Sequence, residues 1–146
     1  MTEQTTWDGK PVSPEPPFGA SILVTRRGTG GIKFLLLHRA HEGTDYEGDW
    51  AWTPPSGARQ PGEDLTASAR RELLEETGLT LEITPTEFGT TDWPVFIAEA
   101  QPDCAVTLSA EHDRYEWLRA EEAIQLCQPA EVAAPIALAN QSNLAE

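Results

Sequence analysis

A single stretch constrains the fold more than any other: a capped helix whose apolar stripe contains a glutamate. Asp64 is a good N-cap, residues from about Leu65 to Thr77 read as a helix, and Gly78 stands where a left-handed cap is expected. At about 100° per residue, Leu65, Ala69 and Leu73 form one apolar stripe. Glu72, Glu75 and Glu76 stand at i, i+3 and i+4, so they share a face. On the same wheel Glu76 falls within the stripe and Glu72 at its edge. Carboxylates crowded there repel one another and lose hydration, a cost of several kcal/mol unless it is compensated. A hard divalent cation with oxygen ligands is the simple compensation, and magnesium or manganese suits carboxylates on a rigid helix. Taken alone, the same carboxylates also fit a solvated acidic face.

Charge sharpens the question. The chain has 146 residues, with 10 Lys and Arg against 24 Asp and Glu, a formal net charge of −14. That excess argues against a nucleic-acid backbone or an anionic membrane as partner. It also opposes an anionic small-molecule substrate, unless a metal cation mediates. The length suits one domain, and 39% hydrophobic with 23% charged residues is a globular composition. No apolar run approaches the roughly 18 residues of a membrane helix, and the polar start carries no visible signal peptide. Cys104 and Cys127 are too few for a disulfide framework, which points to a reducing, cytoplasmic setting.

Along the chain, residues 1–17 with Pro11, Pro14, Pro16 and Pro17 read as a flexible or extended arm, 18–140 as the domain, and 141–146 as a frayed tail. Two apolar runs, Phe18 to Thr25 and Ile32 to His38, flank a glycine-rich connection and predict a hairpin or looser strand pair. Trp50 to Thr53 reads as a short strand ended by Pro54-Pro55. Beyond Gly78, strands are expected at Leu81 to Ile83, Phe88 to Thr90, Val95 to Ala98, Ala105 to Leu108 and Tyr115 to Leu118. Helices are expected at Ala120 to Cys127 and Ala130 to Ala139. The sum is a single mixed α/β (α+β) domain with a sheet between helices.

The residues around the carboxylate helix settle its reading. Gly57, Glu63, Arg71, Glu72, Leu73, Glu75, Glu76, Gly78 and Leu79 follow the spacing G-x5-E-x7-R-E-U-x-E-E-x-G-U, where U is aliphatic. This resembles the box of the Nudix hydrolase family at every defined position. The resemblance implies an α/β/α sandwich with a mixed sheet. It also implies metal-dependent hydrolysis of a diphosphate linkage in a nucleoside polyphosphate, with magnesium (or manganese) as cofactor. By the same resemblance Glu72, Glu75 and Glu76 are metal ligands, and the carbonyl of Gly57 can complete the coordination. Arg71 becomes an orienting ion-pair partner, and Glu63 a carboxylate behind or near the metal.

A second segment, Glu111-His112-Asp113-Arg114-Tyr115-Glu116-Trp117-Leu118, continues the likeness. Alternation puts Tyr115 and Trp117 on one strand face, where core packing is their ordinary role. The pattern E-H-x-x-Y-x-W-L, with Trp52-Thr53-Pro54-Pro55 and Gly62-Glu63-Asp64, is similar to the asymmetric diadenosine tetraphosphate hydrolase subgroup. Under that resemblance Glu111 approaches the metals and serves in water activation, and dinucleoside polyphosphates are the preferred substrate class. The segment between box and Glu111 is short for the subgroup, and Asp92-Trp93-Pro94 departs from it. A (d)NTP or ADP-ribose-type substrate is therefore the alternative, the proline being a cue to the latter.

Trp93 or Tyr46 can stack on a base. Arg39, Lys33 and Arg26-Arg27 are the cations expected near the cleft entrance, and His38 and His112 are candidates for phosphate hydrogen bonding. No P-loop, no G-x-S-x-G elbow, no H-E-x-x-H and no paired C-x-x-C is present. A nucleotide sensor of the same family, without catalysis, is the reading from another class. Retention of Glu63, Glu72, Glu75 and Glu76 favours the enzyme. The partner expected is a nucleotide polyphosphate, with oligomeric state open.

Overall fold

A computed structural model describes residues 11–40 and 43–142. The hairpin appears as β1 (Gly19–Gly28) and β2 (Gly31–Arg39), paired antiparallel from Thr25↔Phe34 to Gly28↔Gly31. Gly30 and Gly31 take φ of 92° and 104°, a turn conformation that other residues rarely adopt. Short strands β3 (Trp52–Thr53) and β4 (Ser56–Ala58) follow, then α1 (Leu65–Thr77). The remainder is β5 (Thr84–Pro85), β6 (Val95–Glu99), β7 (His112–Leu118), α2 (Ala120–Leu126) and α3 (Ala130–Gln141).

All seven strands form one sheet in the order β3-β2-β1-β6-β5, with β4 also paired to β1 and β7 to β2. The β1–β6 pair is parallel and the others antiparallel, so the sheet is mixed. Both faces of its centre are covered, which explains why β1 and β2 read as continuous apolar runs. Ile22, Val24, Leu35 and Leu37 face one way and pack with Ala69 and Leu73 of α1. Leu23, Phe34 and Leu36 face the other way and pack with Ala123, Val132 and Ile136 of α2 and α3. Each such side chain contributes about 1.5–3 kcal/mol by leaving water. The result is the α/β/α sandwich.

Local chemistry sets the ends of α1 where the sequence places them. The Asp64 carboxylate accepts from the N–H of Ala67 at 3.0 Å. Gly78 at φ 74° donates its N–H to the carbonyl of Leu74 at 2.8 Å. Three of the expected strands differ. Leu81 to Ile83 is irregular chain leading into β5, Phe88 to Thr90 is a bend, and Ala105 to Leu108 pairs with no strand. Their apolar residues cover the core instead: Leu81, Ile83, Val106 and Leu108 pack on the α1 side, and Phe88 on the other. Thr107 donates its N–H to the carbonyl of Thr77 at 2.8 Å, fastening that segment to the end of α1. Apolar spacing there reports coverage of a helix and not membership of a ladder.

Residues 1–10 of the expected arm and 143–146 of the expected tail lie outside the described residues. Residues 11–17 run along the loop before α1 and are held by Arg59. Its Nε donates to the carbonyl of Pro17 at 2.7 Å, its Nη2 to the hydroxyl of Ser13 at 2.9 Å, and its Nη1 to the carbonyl of Glu63 at 2.7 Å. Ser13 is fully buried in this contact. Among the described residues no helix is long and apolar enough to cross a membrane.

Candidate active site

A cleft of about 980 Å³ opens between the sheet edge, α1 and α3. Gly57 of β4, Glu72, Glu75 and Glu76 of α1, and Glu111 ahead of β7 all line it. The antiparallel β1–β4 pairing, with Ala20 opposite Gly57, lays Gly57 against the acidic face of the helix. A Cβ on Gly57 would collide with the Glu72 carboxyl, so only glycine leaves that carboxylate its place.

Burial perturbs these acids. Glu76 is only 5% exposed, and its Oε1 accepts the N–H of Ser56 at 3.0 Å. Desolvation pushes its carboxyl well above the usual range, and the neighbouring charges of Glu72 and Glu111 push the same way. Glu72 is raised to about 7, first by burial, against the pull of Arg71 and with the push of Glu75. Arg71 is committed behind them. Its Nε and Nη2 grip Glu63 at 2.8 and 2.9 Å, and its Nη1 reaches Glu72 at 2.9 Å and Glu75 at 3.2 Å. The fork keeps Glu63 below the ordinary carboxylate range and raises Arg71. Glu63 and Arg71 are thus one brace under the helix, and neither lines the cleft.

Arg71, shared among Glu63, Glu72 and Glu75, leaves the cluster short of positive charge. Oxygen donors on a rigid helix, partly dehydrated and mutually repelling, fit a hard divalent cation. Glu76, Glu111 and His112 offer ligand atoms that lie within 4.8 Å of one another.

The expected substrate contacts divide. Arg39 and Trp93 line the cleft. Trp93 is anchored by its Nε1–H to the Ser21 hydroxyl at 2.9 Å and lies over Gly19, where a Cβ would strike its ring. Tyr46, Lys33 and His38 are not brought to the cleft. Tyr46 packs on the α2–α3 core and its hydroxyl donates to the carbonyl of Asp49 at 2.9 Å. Lys33 pairs with Arg26 beside the β1–β2 turn, and Arg26 itself lies over the Trp117 ring at 4.4 Å. Arg27 pairs with Glu99. His38 is fully buried, with Nδ1 2.8 Å from Asp113 Oδ1 and Nε2 2.6 Å from the Tyr46 carbonyl, so it is a structural histidine.

Other residues of the cleft escaped the sequence reading. Trp50 lines it at φ 66°, a left-handed conformation unusual for an aromatic, with its N–H on the carbonyl of Gln128 at 2.6 Å. Glu131, Val132, Ala134 and Pro135 of α3 form the far wall. Only the packing of α3 on the sheet brings them there, and nothing in their local sequence signals it.

A sandwich of this kind, with carboxylates gathered at a cleft of nucleotide size, defines a pyrophosphohydrolase. The chain belongs to the NUDIX family: the NUDIX domain profile matches residues 15–139. It is 32% identical over 127 residues to the asymmetrical bis(5'-nucleosyl)-tetraphosphatase of Mus musculus, covering 78% of this chain and 82% of that one. Against the enzyme of the same name from Caenorhabditis elegans it is 30% identical over 125 residues, covering 77% and 86%. The crystal structure of a C. elegans Ap4A hydrolase binary complex superposes with a TM-score of 0.69 at 27% identity, covering 85% of this chain and 95% of that one. Nudix hydrolases use divalent metals, and this chain retains the carboxylates for one.

Proposed function

We propose that the protein hydrolyses dinucleoside polyphosphates such as diadenosine tetraphosphate into unequal fragments with magnesium as cofactor. Manganese is the alternative cation. The observation that carries this reading is the convergence at the cleft of the box residues Gly57, Glu72, Glu75 and Glu76 with Glu111 from beyond the box. Likeness to tetraphosphatases over most of the chain supports the substrate class.

In this reading Glu72, Glu75, Glu76, Glu111 and the Gly57 carbonyl hold the metal. Divalent cations, when bound, neutralise phosphate charge and acidify a water. Glu111, hydrogen-bonded to Glu76 in the cation-free cluster, takes the proton from the attacking water. Glu63 and Arg71 orient the helix carboxylates. Arg39 meets the phosphate chain and Trp93 receives a base. Residues 18–140 form the catalytic unit, with the preceding segment strapped to it through Arg59. A charge of −14 supports a small-molecule substrate over a nucleic acid or a membrane, and a cytoplasmic setting follows from the cysteine usage.

With magnesium, a panel of diadenosine tetraphosphate, ADP-ribose and (d)NTPs, with products identified, is expected to show fastest turnover of the first. Turnover of the (d)NTPs alone would overturn the substrate class. Binding of diadenosine tetraphosphate without turnover would turn the reading to a sensor. Trp93→Ala is expected to raise KM by about 5- to 150-fold with kcat little changed, the effect of losing about 1–3 kcal/mol of stacking. An unchanged KM would remove Trp93 from base recognition.

A further inference from the structure

We infer that His112 is a nitrogen ligand to the divalent cation, presented to Glu76 and Glu111 by a β-bulge, and that it tilts the site toward first-row transition metals. The inference deepens the proposed metal-supported hydrolysis and rests on that reading.

The bulge is visible in the register. From Phe34↔Leu118 to His38↔Arg114 the β2–β7 ladder is regular, but the next pair is Arg39↔His112. Asp113 is the extra residue, opposite nothing. An inserted residue bends its strand and re-aims the side chains beside it. With the bulge, His112 stands beside Arg39, and both line the cleft. A regular ladder would put Asp113 there instead.

The bulge is fastened from inside the sheet. Asp113 Oδ1 lies 2.8 Å from Nδ1 of His38 and 3.2 Å from Nη1 of Arg114. His38 is fully buried and is fixed on its other side by the Tyr46 carbonyl, so the latch has little freedom. A residue that lies outside the cleft thereby positions one that lies within it. Glu76 comes from α1, Glu111 from just ahead of β7 and His112 from its first position, yet their ligand atoms fall within 4.8 Å of one another. Small side-chain shifts close such a set around one ion.

The chemistry of the donors then differs from an all-carboxylate site. Magnesium takes oxygen ligands and sheds water reluctantly, whereas imidazole favours the later divalent metals. An imidazole added to the carboxylates therefore favours first-row transition metals over magnesium, cobalt more than manganese.

Pulsed electron paramagnetic resonance of the Mn2+-loaded full-length protein tests this directly. The wild type is expected to show nitrogen modulation from a coordinated imidazole, and H112Q and H112N to lose it. The Mn2+ dissociation constant, measured by titration without substrate, should rise about tenfold in either variant, and that for Mg2+ less. Absence of nitrogen modulation in the wild type overturns the inference whether or not the variants fold. Persistence of full modulation in a folded variant also overturns it. The readout is separate from turnover: hydrolysis of diadenosine tetraphosphate without nitrogen coupling defeats the ligand and leaves the proposed function. Coupling without hydrolysis does the reverse.

Discussion

Glu76→Gln is expected to lower kcat by about 10²–10⁴-fold while the protein stays folded. The glutamate is 5% exposed and its Oε1 accepts from the Ser56 N–H, a bond the glutamine carbonyl can keep. The substitution therefore preserves shape and removes only the charge. Burial already pushes this carboxyl well above the usual range, so a neutral amide removes a charge that the site penalises. Stability without metal should be equal or higher, and the loss should fall on cation binding and turnover. Steady-state kinetics at saturating magnesium, beside a thermal melt of the same preparation, separate the two. Undiminished kcat in the folded variant would remove Glu76 from the metal site.

The second large effect is an inverted pH dependence of stability in the absence of metal. Carboxylates usually stabilise a fold as pH rises through their titration. Here burial raises Glu72 to about 7 from an ordinary 4.5 and raises Glu76 in the same direction. Between those two values the native protein binds more protons than the unfolded chain, so stability falls as pH rises. Glu63 acts oppositely, because its bonds to Arg71 hold it below the ordinary value, but its contribution is lost only at more acid pH. In EDTA the Tm is expected to drop by about 5 °C between roughly pH 5 and 7. Saturating magnesium should abolish or reverse the drop, since cation binding favours the deprotonated carboxylates. A metal-free Tm that is flat or rising across that interval would contradict the assigned burial of these acids.

What the chain discloses by itself follows the range of the interactions involved. The carboxylate helix was legible to its caps, because Asp64, Gly78 and the 3.6-residue period act within a few residues of one another. The hairpin was legible for the same reason. Ala105 to Leu108 and Phe88 to Thr90 were not, since their apolar residues answer to a helix or sheet face distant in sequence. In the site, spacing alone puts Glu72, Glu75 and Glu76 on one helix face, whereas Gly57, Glu63 and Arg71 are reached only through the family resemblance. His38 could not: a histidine ending an apolar strand looks the same whether it faces a phosphate or a buried aspartate, and only the register brings Asp113 to it. Trp50 and the α3 wall depend on how the last helix settles on the sheet, which no local pattern encodes.

The cleft has two walls of different origin, and that division bears on selective inhibition. The acid wall is built from the box, which any relative carrying the same motif shares. The opposite wall, with Trp50, Val132, Ala134 and Pro135 beside the single acid Glu131, is mostly apolar and carries no box residue. A compound designed to chelate at the acids would strike the whole family. One that seats an uncharged ring system against Trp50 and α3 would read residues that the box does not dictate, and would need none of the negative charge that makes phosphate mimics poor at entering cells.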